Sequence, residues 1–331
     1  MHFFVFFTFF KYIPLTKYIA DNIMLWNLRK EEKIMGYLLV AISVLSGSVK
    51  GYCGKRTSDY VSEYKDAMLA NTIRMGFCIL IGFFTVLLQS GAAAFKIDTS
   101  VLIITLISGI STSVFVVSWL ISVKKGAYMM LDVFCMMSVV IPLIGGYIKF
   151  GEVVKPTQWF GLAVLLAAVF IMCSYNNSIK TKMTLPSFLL LLVCGASGGF
   201  TDFSQKLFVK LAQDVPIAVF NFYTYIFSAV SLLICFIVFN NKSSEKASFN
   251  KSIKPIFGYV LIMSACLFIN SYFKTAAANY LPAAKLYPLF QGSALTMSTI
   301  MSAVFFNERL NVKCVIGILI SFIALIIINV L

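Results

Sequence analysis

This chain is poor in the groups that catalysis and metal binding need. Its one histidine stands at position 2, so none follows Met35. The eight cysteines (53, 78, 135, 173, 194, 235, 266 and 314) form no C-x-x-C pair and lie inside apolar runs or at their ends, where a thiol packs as a small hydrophobe. No phosphate-binding P-loop occurs, and without a histidine after Met35 no Ser-His-Asp triad can be assembled there. Membrane acyltransferases and intramembrane metalloproteases need such groups, and ATP-driven pumping needs another chain. The expectation is therefore a protein that is no enzyme and holds no cofactor, with a channel, a non-transporting membrane scaffold and a membrane-embedded enzyme as the alternatives. Charge is scarce as well: 12% of residues are charged and 60% are hydrophobic, with a mean hydropathy of +0.91. Water-soluble domains carry about a quarter charged residues, so this composition belongs to a polytopic membrane protein. The excess of 27 basic over 13 acidic residues does not indicate nucleic acid, because the cations lie in short segments between apolar runs.

What is present is a run of long apolar segments. From Met35 onward ten segments, near 35–55, 67–89, 100–122, 126–148, 157–175, 185–208, 215–240, 254–277, 281–307 and 311–331, are each long enough to span a bilayer as a helix. Pro142 and Pro288 fall inside the fourth and ninth. Residues 1–34 do not match this pattern: the run His2 to Phe10 is short for a span, and Lys30-Glu31-Glu32 can be encoded by a ribosome-binding sequence placed before Met35. The expectation is that residues 1–34 are not translated in the cell. An interfacial anchor and an additional helix are the alternatives, and a peptide from residues 12–28 in the native protein would decide against it.

The chain also repeats itself. Residues 127–173 align with 283–329 at a constant offset of 156, with eight identities in 47 positions, among them Phe150, Glu152 and Gly161 against Phe306, Glu308 and Gly317. At an offset of 148, Gly47 and Gly51 align with Gly195 and Gly199, a shared GxxxG that lets another backbone approach. The halves are residues 35–175 and 185–331, joined by a polar linker at 176–184. An odd number of helices per repeat forces opposite orientations. The expected fold is therefore all-α and polytopic, ten transmembrane helices in two inverted five-helix repeats, with a substrate site near the midplane between them. Thirteen loop cations in the odd-numbered connections against five in the even ones (Lys96, Lys149, Lys155, Lys206 and Lys210) place the odd loops in the cytoplasm and both termini outside.

Six charged residues fall within the expected spans: Lys50, Arg74, Asp132, Asp202, Lys274 and Lys285. A charge at membrane depth has a partner or a task. By position, Lys50, Arg74 and Asp132 belong toward one face of the bundle, and Asp202, Lys274 and Lys285 toward the other. Either they pair internally as packing devices, or the surplus cations bind an anionic or zwitterionic solute while a carboxylate carries a proton. Asn221, Asn270, Tyr287 and Gln291 extend the list of candidate substrate contacts. Glu152 and Glu308 are expected to be structural, orienting the turns that follow the fourth and ninth helices.

Two five-helix halves, a glycine-rich first helix in each, and the endings Gly151-Glu152…Gly161 and Asn307-Glu308…Gly317 resemble the EamA-type drug/metabolite transporter superfamily. Ser46-Gly47 stands where that family often has Trp-Gly. The resemblance implies a carrier of the cytoplasmic membrane, exporting amino acids or other small metabolites, with protons as a possible coupling partner and multidrug export as an alternative. It also implies cytoplasmic termini, opposite to the loop count.

Overall fold

The computed structural model describes residues 22–61, 63–124, 128–173, 185–242, 253–306 and 312–330. The apolar run at 2–10, the linker at 176–184, Glu308 and the Asp132 side chain lie outside the described residues. The helices are α1 (Asn22–Ser58), α2 (Tyr64–Ser90), α3 (Thr99–Lys124), α4a (Tyr128–Met137), α4b (Val140–Phe150), α5 (Pro156–Cys173), α6 (Leu185–Leu211), α7 (Ile217–Lys242), α8 (Phe257–Tyr280), α9 (Ala283–Phe306) and α10 (Val312–Val330). Among the described residues seven of these, α1 to α3 and α6 to α9, are long and apolar enough to cross a membrane. Shorter apolar helical stretches, Phe134–Phe150, Pro156–Ala168 and Val315–Ile328, lie in α4, α5 and α10.

The side chains are distributed as lipid requires. Leu88, Ile148, Phe84 and Leu319 are exposed on the outside of the bundle, while Ser43, Asn71, Arg74, Asp202, Asn221 and Lys274 are buried within it. With no water to hydrogen-bond them in a bilayer core, polar groups turn inward toward one another. α1 packs on α8, α2 on α7, α3 on α6 and α7, and α5 on α10.

Three features differ from the sequence expectation. First, α1 begins at Asn22, so residues 22–34 continue the first helix rather than precede it. Second, the fourth span is broken. Ser138 and Val139 form a turn between α4a and α4b. Pro142 has no N–H for the carbonyl of Ser138, and its ring crowds that carbonyl, so the helix gives way at that point. Pro288 sits near the start of α9, and α9 runs unbroken past it. The third correction concerns Lys206 and Lys210, counted above as loop cations. Both lie within α6, and Lys206 is among the most deeply buried side chains in the protein.

Candidate functional site

A cavity of about 130 Å³ lies within the bundle, bordered by α1, α3, the α4a–α4b turn and α6 to α9. Of the residues anticipated from sequence, Lys50, Asp202, Asn270, Lys274 and Gln291 border it, together with Gly47 and Gly51. Sequence position had assigned Lys50 to one face and Asp202 with Lys274 to the other. The structure corrects this, because all three border the same space. Lys50 lies eight residues from the end of α1 and Asp202 nine from the end of α6, so each is set in from its own helix end by roughly 12–14 Å at 1.5 Å per residue.

Each polar wall is built by specific helix contacts. Asp202 and Lys274 form a buried ion pair, and the Lys274 ammonium stands 4.7 Å from the centre of the Phe290 ring. Tyr287 is buried and does not border the cavity; its hydroxyl donates to the backbone carbonyl of Asp202 at 2.7 Å, fixing α9 to α6 behind the ion pair. Asn270 Nδ2 donates to the carbonyl of Ser43 at 2.7 Å, and Ser43 Oγ donates back to the Asn270 carbonyl. Gly47 makes room for this staple between α1 and α8, since a Cβ there would lie 2.9 Å from Asn270 Nδ2. Gln291 Nε2 donates to Ser138 Oγ at 3.3 Å, so α9 stitches the break in the fourth span.

Lys50 has no carboxylate partner among the described residues, and its charged neighbours are the cations Arg74 and Lys274. Arg74 lies behind the wall, where Nη1 donates to Asn71 Oδ1 at 3.2 Å and Nε has no partner. Burying a cation costs several kcal/mol unless it is paired. Two cations, the half-buried Lys50 and the buried Arg74, thus stand beside a neutralised Asp202–Lys274 pair. Asn221 is buried and holds Ser271 by accepting its hydroxyl at 2.8 Å. Lys285 stands apart from the cavity, at the start of α9 near Lys33 and Lys155.

The sequence reading missed Gln205, Trp119, Thr112, Thr201 and Ser271, which also border the cavity. Gln205 had a signal, since it lies three residues after Asp202 and shares its helix face.

On α6 the two glycines lie against backbone. A Cβ on Gly195 would lie 2.5 Å from the carbonyl oxygen of Phe134, and one on Gly199 would lie 2.7 Å from that of Ser138. α6 therefore rests backbone to backbone on the α4a–α4b turn. Gly161 packs against Ile328 and the carbonyl of Ala324, joining α5 to α10. Gly317 is buried in α10, and its carbonyl accepts the Ser321 hydroxyl.

Glu152 reaches further than the turn it follows. Gly151 adopts the left-handed conformation (φ 62°) that ends α4b. The Glu152 carboxylate beyond it pairs with Lys206 at 2.9 Å and accepts the Ala283 N–H, at the first turn of α9, at 3.0 Å. Lys206 also donates to the carbonyls of Ala278 and Leu281. Glu152 thus ties the end of α4b to α6 and to the start of α9, and Lys206 extends the clasp to the end of α8.

Residues 185–330 match the EamA-like transporter family. Among the 28 matching chains of known structure, one crystal structure aligns with 91% of this chain and 97% of its own, with a TM-score of 0.65 and 15% identity. That likeness is one of fold. No curated protein matches the chain. The family match agrees with the resemblance read from the sequence, and the chain is a multi-pass membrane protein.

Proposed function

With residues 185–330 an EamA-like transporter unit, we propose that the whole chain is a secondary carrier. It moves a small metabolite bearing a carboxylate, an amino acid or another anionic or zwitterionic solute, across the cytoplasmic membrane by alternating access. Export is the direction the family resemblance implies. The observation that carries the reading is the cavity between the two halves, bordered by Lys50 without a carboxylate partner among the described residues. Its volume of about 130 Å³ compares with the roughly 150 Å³ of a cavity that holds benzene. That size favours a compact solute over a bulky drug.

Two inverted five-helix repeats underlie the exchange of access. Supporting this is the way contacts interchange when the halves are swapped. α1 on α8 corresponds to α6 on α3, and α1 on α9 to α6 on α4a and α4b, while α2–α7 and α5–α10 each pair a helix with its own counterpart. In this reading α4, α5 and α10 complete ten spans. The Glu152–Lys206 clasp holds one end of the bundle shut, and Asp202 is the described carboxylate placed to carry a coupling proton.

Comparing the media of overexpressing and deletion strains by mass spectrometry, then reconstituting the purified chain with the enriched compound, tests the proposal. A carrier exchanges labelled substrate for unlabelled across a vesicle wall. Enrichment without exchange by the purified chain would overturn the carrier reading.

A further inference from the structure

The wall of the cavity contributed by α6 carries two oxygen atoms with nothing to accept. Asp202 and Gln205 are each 2% exposed and both border the cavity. Asp202 Oδ1 is engaged by Lys274, and Oδ2 has no hydrogen-bond partner. Gln205 Nε2 donates to Ser271 Oγ at 3.2 Å, and Ser271 in turn donates to Asn221 Oδ1. Ser271 has one proton and gives it to Asn221, so it accepts from Gln205, which leaves Gln205 Oε1 as the free end. That oxygen too has no partner. Buried acceptors left empty are costly, so two on one helix face require a donor from whatever occupies the space.

We propose that Asp202 Oδ2 and Gln205 Oε1 form an amine-reading pole of the carrier site, opposite in sign to Lys50. This rests on the carrier reading above and narrows it. The substrate carries a primary ammonium as well as a carboxylate, with the ammonium on α6 and the carboxylate toward Lys50. An ammonium has three donors and fills both oxygens. A hydroxyl has one, and a hydrogen none. Gln205 is then a specificity-determining residue, held in place by Ser271 and Asn221.

The experiment is exchange in proteoliposomes of the full-length chain. Vesicles preloaded with mixed proteinogenic amino acids face an equimolar external mixture of isotope-labelled amino acids, their 2-hydroxy analogues and their deaminated analogues, and entry is read by mass spectrometry. The expected result is entry of amino acids at least tenfold above the matched hydroxy and deaminated acids. Gln205→Leu should lower that ratio about tenfold, the usual worth of a hydrogen bond to a charged group. Gln205→Glu, which keeps acceptor oxygens, should preserve the ratio and also controls for folding. Equal entry of all three classes, or an unchanged ratio in Gln205→Leu, overturns the amine pole and leaves the carrier standing. No exchange of any compound by correctly folded protein overturns both.

Discussion

α1 and α6 share the spacing of their glycines but carry different side chains around it. At the offset of 148, Gly47 and Gly51 face Gly195 and Gly199 unchanged, whereas Lys50 faces Gly198, Gly54 faces Asp202 and Thr57 faces Gln205. The glycines common to both admit a neighbour, but different ones. α6 receives backbone, the carbonyls of Phe134 and Ser138, while Gly47 receives the Asn270 side chain. Where α6 carries its carboxylate, α1 has no room for one, because a Cβ on Gly54 would lie 2.5 Å from the Trp119 ring. Glycines at the same spacing thus accompany a cation on one wall of the cavity and a carboxylate with an amide on the other. At these positions the glycines are shared between the two stretches and the charged residues are not.

The sharpest way to break that comparison is Lys50→Gln. It removes the cation from α1 while keeping length and polarity, and exchange of a carboxylate substrate should fall about 10- to 100-fold. Unimpaired exchange in this variant would reduce the α1 wall to packing. Next in size is the clasp. Glu152→Gln leaves the buried Lys206 facing only carbonyls, and breaking a buried pair on one side costs about 3 kcal/mol or more. Thermal unfolding in detergent should show a lowered midpoint, with at least half of the loss recovered when Lys206→Met is added. A double variant no more stable than the single one would show that the pair itself is not the source. The smallest effect separates the two glycine faces. Gly199→Ala forces a methyl against backbone and should destabilise by about 1–3 kcal/mol, more than Gly47→Ala, whose methyl meets the end of a side chain. Equal losses would mean that the two helices are held alike.

Much of the architecture was readable because it follows from local rules. Ten apolar segments, the paired GxxxG motifs and the repeated Phe-x-Glu endings needed only counting. The break between α4a and α4b was not foreseen, although Pro142 announced it. Whether a proline bends a membrane helix depends on what surrounds the freed carbonyl, and here the Ser138 carbonyl accepts the Ile141 N–H while Gly199 on α6 leaves room for it. Lys206 was misplaced for a related reason. A lysine near a helix end reads as a surface charge, and only the arrival of Glu152 and the carbonyls of α8 makes its burial tolerable.

The sequence by itself determined that this chain lives in a membrane and which few charged residues are available inside. These follow from hydropathy and from the cost of charge in lipid, both properties of single segments. Tertiary structure alone decided which charges meet. It paired Asp202 with Lys274, left Lys50 on the cavity without a carboxylate among the described residues, placed Lys285 away from it, and left an oxygen on each of two cavity-bordering residues of α6 without a hydrogen-bond partner. Electrostatic partnership depends on distances of a few ångströms between residues 72 (Asp202 and Lys274) to 224 (Lys50 and Lys274) positions apart in the chain, and no local pattern records such distances.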